Sequence, residues 1–143
     1  GGETRYHSVS NGLAEIKVDE ALVAVHDGVR PFVSVKTIAD TFVEAEKSGA
    51  AVPVIECVDS VREVDNVSKE SFARERAALR LVQTPQTFRL SILRKAYSLP
   101  YTPFFTDDAS VVEAVGEKIV LTSGNRENIK ITTSFDLKIA EVL

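Results

Sequence analysis

Short apolar segments that alternate with amphipathic ones are the feature that most restricts how this chain can fold. Leu22-Val23-Ala24-Val25 is a continuous apolar run, typical of a strand buried on both faces, and it ends at the turn signal His26-Asp27-Gly28. A second run covers residues 51–55, where Pro53 indicates a strand start or irregular pairing. Helical patterns lie before, between and after these runs. This order predicts an α/β fold whose mostly parallel sheet is flanked by helices.

Polar residues and glycines mark where the predicted helices begin and end. Ser34 is placed to cap a helix that runs to about Lys47, and Gly49 is a suitable stop. Thr106 is placed to cap a later helix, and the two aspartates after it suit the positive end of the helix dipole. The remaining predicted elements are helices at 8–16, 90–97 and 134–143 and strands at 79–82 and 118–122.

Residues 56–78 interrupt this rhythm with many charged and few apolar side chains. Alternation between residues 57 and 64 predicts an exposed strand, and Asp65-Asn66 is a candidate turn. We therefore predict a protruding β-hairpin arm at about 56–78, with a plain surface loop as the alternative. Because a strand with an unpaired edge tends to find a partner, the arm is a candidate dimer contact.

Composition places the chain among globular proteins and excludes several kinds of function. Hydrophobic residues make up 44% and charged residues 27% of the 143, which suits a single domain over residues 1–143. The net charge of −4 argues against a nucleic-acid partner, because nucleic-acid surfaces carry basic excess. Cys57 is the only cysteine, which excludes an intrachain disulfide. Without a long apolar run or a signal-peptide pattern, we expect no membrane partner and a cytoplasmic location.

The segment after the first predicted strand, residues 26–31, is a candidate ligand site because ligands of parallel α/β sheets bind beyond the carboxyl ends of strands. Asp27 can accept hydrogen bonds from sugar or polyol hydroxyls or face a metal ion. Gly28 lets the backbone approach a ligand, and Arg30 offers a planar fork for phosphate. A plain turn explains the same residues equally well. We expect His26 to be structural, since nothing nearby forms a triad with it.

Three further segments could contribute to a site, although each has a simpler explanation. Thr84 lies among hydroxyls and amides that could bind a polar ligand, but a proline-shaped loop leading into a helix is favoured. Thr106 could lie at an anion-binding helix end, but the aspartates beside it repel phosphate and capping is favoured. Lys130 could supply charge to a phosphate, whereas simple alternation would place it in solvent. For Arg76, the simpler explanation is that it belongs to a run of charged side chains that face solvent.

Taken in order, the motifs are far more specific than any one of them. They are Gly1-Gly2-Glu3-Thr4-Arg5, Ser8-Val9, Asn11-Gly12-Leu13, His26-Asp27-Gly28-Val29-Arg30-Pro31, Asp59-Ser60, Arg76, Gln83-Thr84-Pro85-Gln86, Thr106-Asp107-Asp108-Ala109-Ser110 and Asn128-Ile129-Lys130-Ile131-Thr132. This set covers essentially the whole chain and resembles the 2-C-methyl-D-erythritol 4-phosphate cytidylyltransferases of non-mevalonate isoprenoid synthesis. The resemblance implies an incomplete, Rossmann-like nucleotidyltransferase fold. It also implies transfer of CMP from CTP to the polyol phosphate, with release of pyrophosphate.

The resemblance implies a role for each matching residue. The residues expected to bind the nucleotide are Gly2, Glu3, Ser8, Asp27 and Gly28. The residues expected to bind methylerythritol phosphate are Asp27, Arg30, Ser60, Arg76, Thr84, Thr106 and Lys130. Asp27, Arg30 and Lys130 are the predicted catalytic residues. Asp27 is also the predicted ligand of Mg²⁺, the expected cofactor.

The arm has a separate implied role, because in this family it reaches into the neighbouring subunit's site. Ser60 and Arg76 would therefore act across a homodimer formed through the arm. Ser60 stands where threonine is familiar, which keeps the hydroxyl. Glu3 stands where aspartate can occur, so its carboxylate reaches farther.

The largest departure from the family is that its Gly-rich triphosphate loop has no counterpart in these 143 residues, which begin at Gly1-Gly2 and contain no methionine. We expect this chain by itself to be inactive, since several preorganised donors would be missing at once. Two alternatives remain. One is the sister activity on ribitol 5-phosphate, and the other is a non-catalytic dimerisation module.

Overall fold

The computed structural model describes all residues 1–143 and confirms an α/β fold. The helices are α1 (Arg5–Ala14), α2 (Val35–Ser48), α3 (Leu90–Ala96), α4 (Asp108–Glu113) and α5 (Ser134–Ala140), with a short 3₁₀ turn at Arg76–Ala78. The strands are β1 (Leu22–Val25), β2 (Ala50–Glu56), β3 (Val61–Val64), β4 (Ser71–Arg74), β5 (Arg80–Val82), β6 (Gln86–Arg89) and β7 (Val120–Ser123). No helix is long and apolar enough to cross a membrane.

Five of the strands form one mixed sheet. β6 lies antiparallel between β1 and β2, β5 continues beside the later part of β2, and β7 pairs in parallel with the other edge of β2. Consequently β1, β2 and β7 run in one direction, and β5 and β6 run in the opposite one. Most of the five strands thus run in the same direction, as predicted. Most of the hydrogen-bonded strand pairs, however, are antiparallel.

The proline inside β2 faces a gap in the sheet. Val54 of β2 pairs with β5 and Ala51 pairs with β6, so Pro53 lies opposite residues 83–85, which connect those two strands. The Pro53 carbonyl accepts a hydrogen bond from the N–H of Gln83 at 2.8 Å. Proline has no N–H to donate to a neighbouring strand. At this break between β5 and β6, a central strand can therefore contain Pro53 without losing a hydrogen bond of the ladder. The irregular pairing predicted at this position is confirmed.

Strand β6 was missed by the sequence interpretation, which placed Gln86 and Thr87 in a loop. Both polar side chains are buried. The Thr87 hydroxyl donates to the Thr41 hydroxyl of α2 at 2.9 Å, whereas Phe88, the next residue, belongs to the main hydrophobic core. Since successive side chains of a strand point to opposite faces, α2 covers one face of the sheet and the main core covers the other.

The main core fixes α1 and α4 beside the sheet. Its buried members come from α1, β2, β6, α3 and α4, and they are Tyr6, Leu13, Ala50, Val52, Phe88, Leu90, Leu93, Ala96, Ala109, Val111 and Val112. The N-terminal ends of α1 and α4 lie close together near the end of β1, since Arg5 at the start of α1 contacts both Asp108 and Asp27. This placement brings charged residues from distant parts of the chain to one edge of the sheet.

The ends of α2 form as predicted. Ser34 is the N-cap, and its hydroxyl accepts from the N–H of Thr37 at 3.0 Å. Gly49 ends the helix with a φ of 93°, a left-handed conformation that glycine adopts without the Cβ clash of other residues. Lys47 lies in the last turn, where its charge favours the negative end of the helix dipole.

The caps of α4 and α5 differ by one residue from the prediction. Asp107, and not Thr106, caps α4 and forms a reciprocal capping box with Ser110. Thr133 caps α5 in the same way with Asp136, whereas the sequence pattern predicts Ser134 as the cap of this helix. In both helices a side chain at the third helical position returns a bond to the cap backbone, which favours the capping box over a cap one residue away. Helix α1 likewise begins before residue 8, and α5 ends before residue 143.

The predicted hairpin arm is confirmed as a separate two-stranded antiparallel sheet of β3 and β4. Its turn is closed by Asp65, whose Oδ1 accepts from the N–H groups of Val67 at 2.8 Å and Ser68 at 2.7 Å. Glu63 and Arg74 form an exposed ion pair between the strands. The arm shares no ladder with the five-stranded sheet, so it is stabilised mainly by its own local contacts.

Candidate functional site

Three cationic side chains converge on the carboxylate of Asp27, at the end of β1. Arg5 Nε lies 3.2 Å from Oδ1, while Arg30 Nε and Lys130 Nζ each lie 3.3 Å from Oδ2. The Asp27 side chain is only 11% exposed. The structure therefore brings together Asp27, Arg30 and Lys130, the three predicted catalytic residues, and adds Arg5, to which the sequence interpretation gave no role.

A hydrogen-bond chain fixes the backbone around Asp27. Its N–H donates to the Thr84 hydroxyl oxygen at 3.0 Å, and that oxygen lies 2.9 Å from His26 Nδ1. His26 Nε2 lies 3.0 Å from the carbonyl oxygen of Arg30. Because a carbonyl can only accept, Nε2 donates to the Arg30 carbonyl, and the Thr84 hydroxyl contacts the other ring nitrogen, Nδ1. Both ring nitrogens of His26 are thus engaged in holding the loop, as expected for a structural residue.

The segment that carries Lys130 is tied to the same loop. Arg30 Nη1 donates to the Asn128 carbonyl at 2.8 Å, and the N–H of Ile131 donates to the Val29 carbonyl at 2.9 Å. Asn128 is fully buried, and its side-chain amide donates to the Thr84 carbonyl at 2.9 Å. These bonds hold the segment so that the half-exposed Lys130 side chain is directed toward Asp27. Simple alternation of side chains between core and solvent does not explain this position.

These side chains line a cavity of about 280 Å³. Its lining residues are Arg5, Asp27, Arg30, Val82, Gln83, Thr84, Gln86, Thr106, Asp107 and Lys130. Three are cationic and two are acidic, so the lining carries one net positive charge. The Asp107 carboxylate is occupied by the N–H of Ser110 and by the side-chain amide of Gln86, each at 2.9 Å. The arrangement suits a small anionic ligand that also carries hydroxyl groups.

A second groove, of about 450 Å³, lies against α1 and β1. Its lining residues are Arg5, Ser8, Val9, Gly12, Leu13, Ile16, Val23, Ala24, Val25, His26, Asp27 and Gly28. Half of them are hydrophobic, in contrast to the charged cavity. Arg5 and Asp27 line both spaces, so these two side chains stand at the boundary between an apolar groove and a cationic cavity.

Some of the predicted nucleotide-binding residues line the groove, and others lie outside it. Ser8 and Gly28 line the groove, whereas Gly2 and Glu3 do not. A Cβ on Gly2 would lie 2.7 Å from backbone atoms of α1, so any other residue would require the chain to shift. Gly28 is different, because no protein atom lies within 4 Å of a Cβ built there. The space beside Gly28 is therefore open for the predicted close approach of a ligand.

The charges of the site stabilise one another. Burial alone would raise the pKa of Asp27, but Arg5 and Lys130 outweigh it and hold that pKa below its ordinary value. Burial would lower the pKa of Arg5, but its contacts with Asp108 and Asp27 outweigh burial and raise it. The carboxylate of Asp27 and the guanidinium of Arg5 consequently both remain charged at neutral pH.

The structure does not bring the arm residues into this cavity. Ser60 is exposed, and Arg76 Nη1 donates to the Val58 carbonyl at 2.7 Å. Arg76 lines a different cavity of about 310 Å³, together with Glu56, Cys57, Ala77 and Arg80. Within one chain neither residue contacts the Asp27 site, and their action across a dimer stays a prediction.

Several site residues were not found from the sequence. Arg5 lies within a motif of the resemblance but carried no assigned role. Gln86 is buried; its side-chain Oε1 accepts from the N–H of Ala109 at 2.9 Å, and its side-chain Nε2 donates to Asp107. Asp108, interpreted only as a charge at a helix end, is completely buried. Each of these side chains has a partner more than twenty residues away, and no local pattern signals such a contact.

The site by itself provides few ligands for a divalent cation. No group of three or more His, Cys, Asp or Glu side chains is arranged to hold a metal ion. Asp27 is the one cavity carboxylate not used in capping, and its oxygens contact cationic side chains. Mg²⁺ commonly takes one or two carboxylates and completes its shell with water and phosphate. The donor set therefore fits Mg²⁺ only in part, through Asp27.

Curated relatives match this chain over its whole length. The family model for IspD, 2-C-methyl-D-erythritol 4-phosphate cytidylyltransferase, matches residues 1–143. The enzymes of that name from Phocaeicola vulgatus and Bacteroides fragilis are 56% and 54% identical to all 143 residues. The chain spans 64% of the length of each.

Solved structures agree with these matches. The 2-C-methyl-D-erythritol 4-phosphate cytidylyltransferase of Thermus thermophilus is similar over 99% of this chain and 70% of its own, with a TM-score of 0.86 and 38% identity. The 4-diphosphocytidyl-2C-methyl-D-erythritol synthase of Anaerococcus prevotii has a TM-score of 0.89 and 30% identity, and the match covers 64% of its length. From the fold, the shared motifs and these matches, the chain belongs to the IspD family of 2-C-methyl-D-erythritol 4-phosphate cytidylyltransferases.

Proposed function

We propose that the protein containing these residues transfers the cytidylyl group of CTP to 2-C-methyl-D-erythritol 4-phosphate. The products would be 4-diphosphocytidyl-2-C-methyl-D-erythritol and pyrophosphate. The observation that carries the proposal is the convergence of Arg5, Arg30 and Lys130 on Asp27 at the edge of a cationic cavity. Family membership supports the identity of both substrates.

The reaction is a substitution at phosphorus. A phosphate oxygen of the polyol phosphate forms a bond to the α-phosphorus of CTP. The bond from that phosphorus to the bridging oxygen of the β-phosphate breaks, and pyrophosphate leaves with the electron pair. Because the attacking oxygen is already ionised, the site needs no strong general base. This fits a site in which both nitrogens of His26 are committed to the loop.

The chain's contribution is to position and stabilise negative charge. Arg30 uses two of its five N–H groups on Asp27 and Asn128, which leaves three for a phosphate. Lys130 supplies a point charge on the same side of the cavity. The hydroxyls of Thr84 and Thr106 line the wall, where they can meet ligand hydroxyls or phosphate oxygens.

The two spaces suit the two substrates. The charged cavity fits the polyol phosphate, and the groove along α1 fits part of the nucleotide, beside Ser8 and Gly28. Asp27, at their boundary, would then lie near the reacting phosphates. Mg²⁺, held there by Asp27 and the phosphates, would neutralise charge on the triphosphate. The expected homodimer through the arm and a cytoplasmic location complete the proposal.

A pyrophosphate-release assay on the protein as its gene encodes it tests the proposal. With CTP and methylerythritol phosphate we expect turnover, with the cytidylyl product identified by mass. Ribitol 5-phosphate in place of methylerythritol phosphate is the matched comparison, and preferential turnover of ribitol phosphate would reassign the substrate. Dimerisation without turnover of either substrate would favour a non-catalytic module. The same assay on residues 1–143 alone checks the expectation that they are inactive by themselves.

A further inference from the structure

A fully buried carboxylate lies one contact away from the site. Asp108, the first residue of α4, has no exposed side-chain surface. Its Oδ1 accepts from the Tyr97 hydroxyl at 2.6 Å, and its Oδ2 accepts from Arg5 Nη2 at 2.6 Å. The Asp108 side chain lines neither the cavity nor the groove, and its only side-chain contact with a residue of the site is Arg5.

Arg5 bridges the buried carboxylate and the site carboxylate. Nη2 binds Asp108 at 2.6 Å, and Nε of the same guanidinium binds Asp27 at 3.2 Å. The guanidinium group is planar and rigid, so fixing one nitrogen restricts the direction of the other. The shorter bond is made to Asp108, whose side chain is completely buried. Asp108 is therefore the fixed end of the bridge, and Asp27 is the end that is oriented.

The orientation of Asp27 affects the rest of the site. Its Oδ1 meets Arg5, while its Oδ2 meets both Arg30 and Lys130. If the Oδ1 contact is lost, the carboxylate can rotate and both cations lose their common partner. Small displacements of this kind are costly in reactions that depend on positioning.

We propose that Asp108 is a positioning residue that acts through Arg5 to orient the Asp27 carboxylate at the boundary between the groove and the cavity. The inference rests on the proposed function and extends it to a residue outside both spaces. The competing explanation is that Asp108 only fastens α1 to α4 and contributes stability.

A double-mutant cycle on kcat separates the two explanations. In the protein as its gene encodes it, Asp108→Asn and Arg5→Gln are each expected to lower kcat about 10- to 100-fold, with smaller changes in KM. If Asp108 acts through Arg5, the double variant has the kcat of Arg5→Gln alone. Effects that multiply in the double variant would overturn the proposal.

Tyr97→Phe is the matched structural control, because it removes the other partner of Asp108 and leaves the Arg5 contact. We expect lower stability and a kcat within about twofold of wild type. An equal loss of kcat in Tyr97→Phe and Asp108→Asn at equal stability would overturn the proposal. Should Asp108→Asn not fold, Arg5→Lys carries the test. Its charge is kept, but an ammonium lacks the planar fork by which the bond to one carboxylate sets the direction of the other, so unchanged kcat would overturn the proposal.

A spectroscopic readout makes this test independent of turnover. The Nε–H of Arg5 should give a resolved, slowly exchanging NMR signal in the wild type and in Tyr97→Phe, and the signal should be lost in Asp108→Asn. Persistence of the signal in Asp108→Asn would overturn the positioning role. Absence of turnover by the wild type, with the NMR pattern as expected, would refute the proposed function and leave the Arg5 bridge supported.

Discussion

The Asp27 site and the hairpin arm both carry residues expected to bind substrate, yet they are built in opposite ways. At the site, Arg5, Arg30 and Lys130 come from distant segments and meet on one nearly buried carboxylate. On the arm, Ser60 is exposed and Arg76 bonds a carbonyl in the arm's own base. The site residues hold one another in place, whereas the arm residues have no partner beyond the arm.

The difference shows which parts of the site one chain can preorganise. The nearly buried Asp27 carboxylate keeps a fixed geometry because losing its partners would leave an unpaired charge in a low dielectric. Exposed side chains on a two-stranded arm gain little from one another, since water competes for each contact. Because Ser60 and Arg76 lie outside the cavity beside Asp27, their predicted binding of the same substrate requires a second subunit to bring them to it. Substitutions in the two regions should therefore have effects of very different size.

The largest effect is expected for Asp27→Asn, which removes the common partner of three cations. We expect kcat to fall about 10²–10³-fold, as for the loss of a preorganised group from a charge-stabilising site. Steady-state pyrophosphate release measures it. Asp19→Asn, an exposed carboxylate before β1, is the control and should change kcat less than about twofold. A mild effect of Asp27→Asn would mean that the convergence of charges is only structural.

The next effect tests whether the arm acts across subunits. In a heterodimer of one Asp27→Asn subunit and one Arg76→Ala subunit, trans action leaves one of two sites intact, so about half of wild-type activity should remain. The control is a wild-type subunit paired with one that carries both substitutions, which should be nearly inactive. If the arm acts within its own subunit, the first heterodimer should be nearly inactive and the control should keep about half of wild-type activity. Activity of the two tagged and purified heterodimers decides between them.

A smaller effect is expected on stability. Tyr97→Phe leaves the buried Asp108 carboxylate without one of its two partners, and we expect unfolding free energy to fall by about 1–3 kcal/mol. Glu63→Gln, which breaks the exposed ion pair of the arm, should cost about 0–1 kcal/mol. Denaturant titration measures both. Equal losses would contradict the distinction between a buried network and an exposed arm.

The smallest effect concerns the turn of the arm at low pH. Hydrogen bonds from the backbone of Ser68 and Val67 hold the pKa of Asp65 below its ordinary value of 3.8. Because the folded pKa is the lower one, this contribution to the turn is present above pH 3.8 and is lost as pH falls through the folded value. The amide NMR shifts of Val67 and Ser68 should titrate with a midpoint below 3.8. A midpoint at or above that ordinary value would show that the turn does not hold the carboxylate.

Elements with local signals were predictable. Strand β1 has the predicted bounds because an apolar run and a turn signal define both of its ends. Helix α2 begins after Ser34 and ends at Gly49 because capping depends on side chains within three residues of each end. The hairpin turn at Asp65 is also local, since the bonds that close it span two and three residues.

Elements decided by distant partners were not predictable. Strand β6 has polar residues that favour a loop, yet Thr87 is buried against Thr41, 46 positions away in sequence. Gln86 can be buried because Asp107 and Ala109 satisfy its amide. A buried polar group is stable only with a partner, and the sequence does not state where that partner will lie.

For the site, the sequence predicted that Asp27 and Arg30 lie a few residues beyond an apolar strand, where ligands of α/β sheets bind. The ordered motifs also determined the family. The contacts of Lys130 and Arg5 with Asp27, and the burial of Asp108 behind Arg5, could be seen only in the folded molecule. Caps, turns and strand ends depend on neighbours along the chain, and a local pattern can therefore predict them. The pairing of buried charges depends instead on which helices the shared core brings together, a property of the packed molecule as a whole.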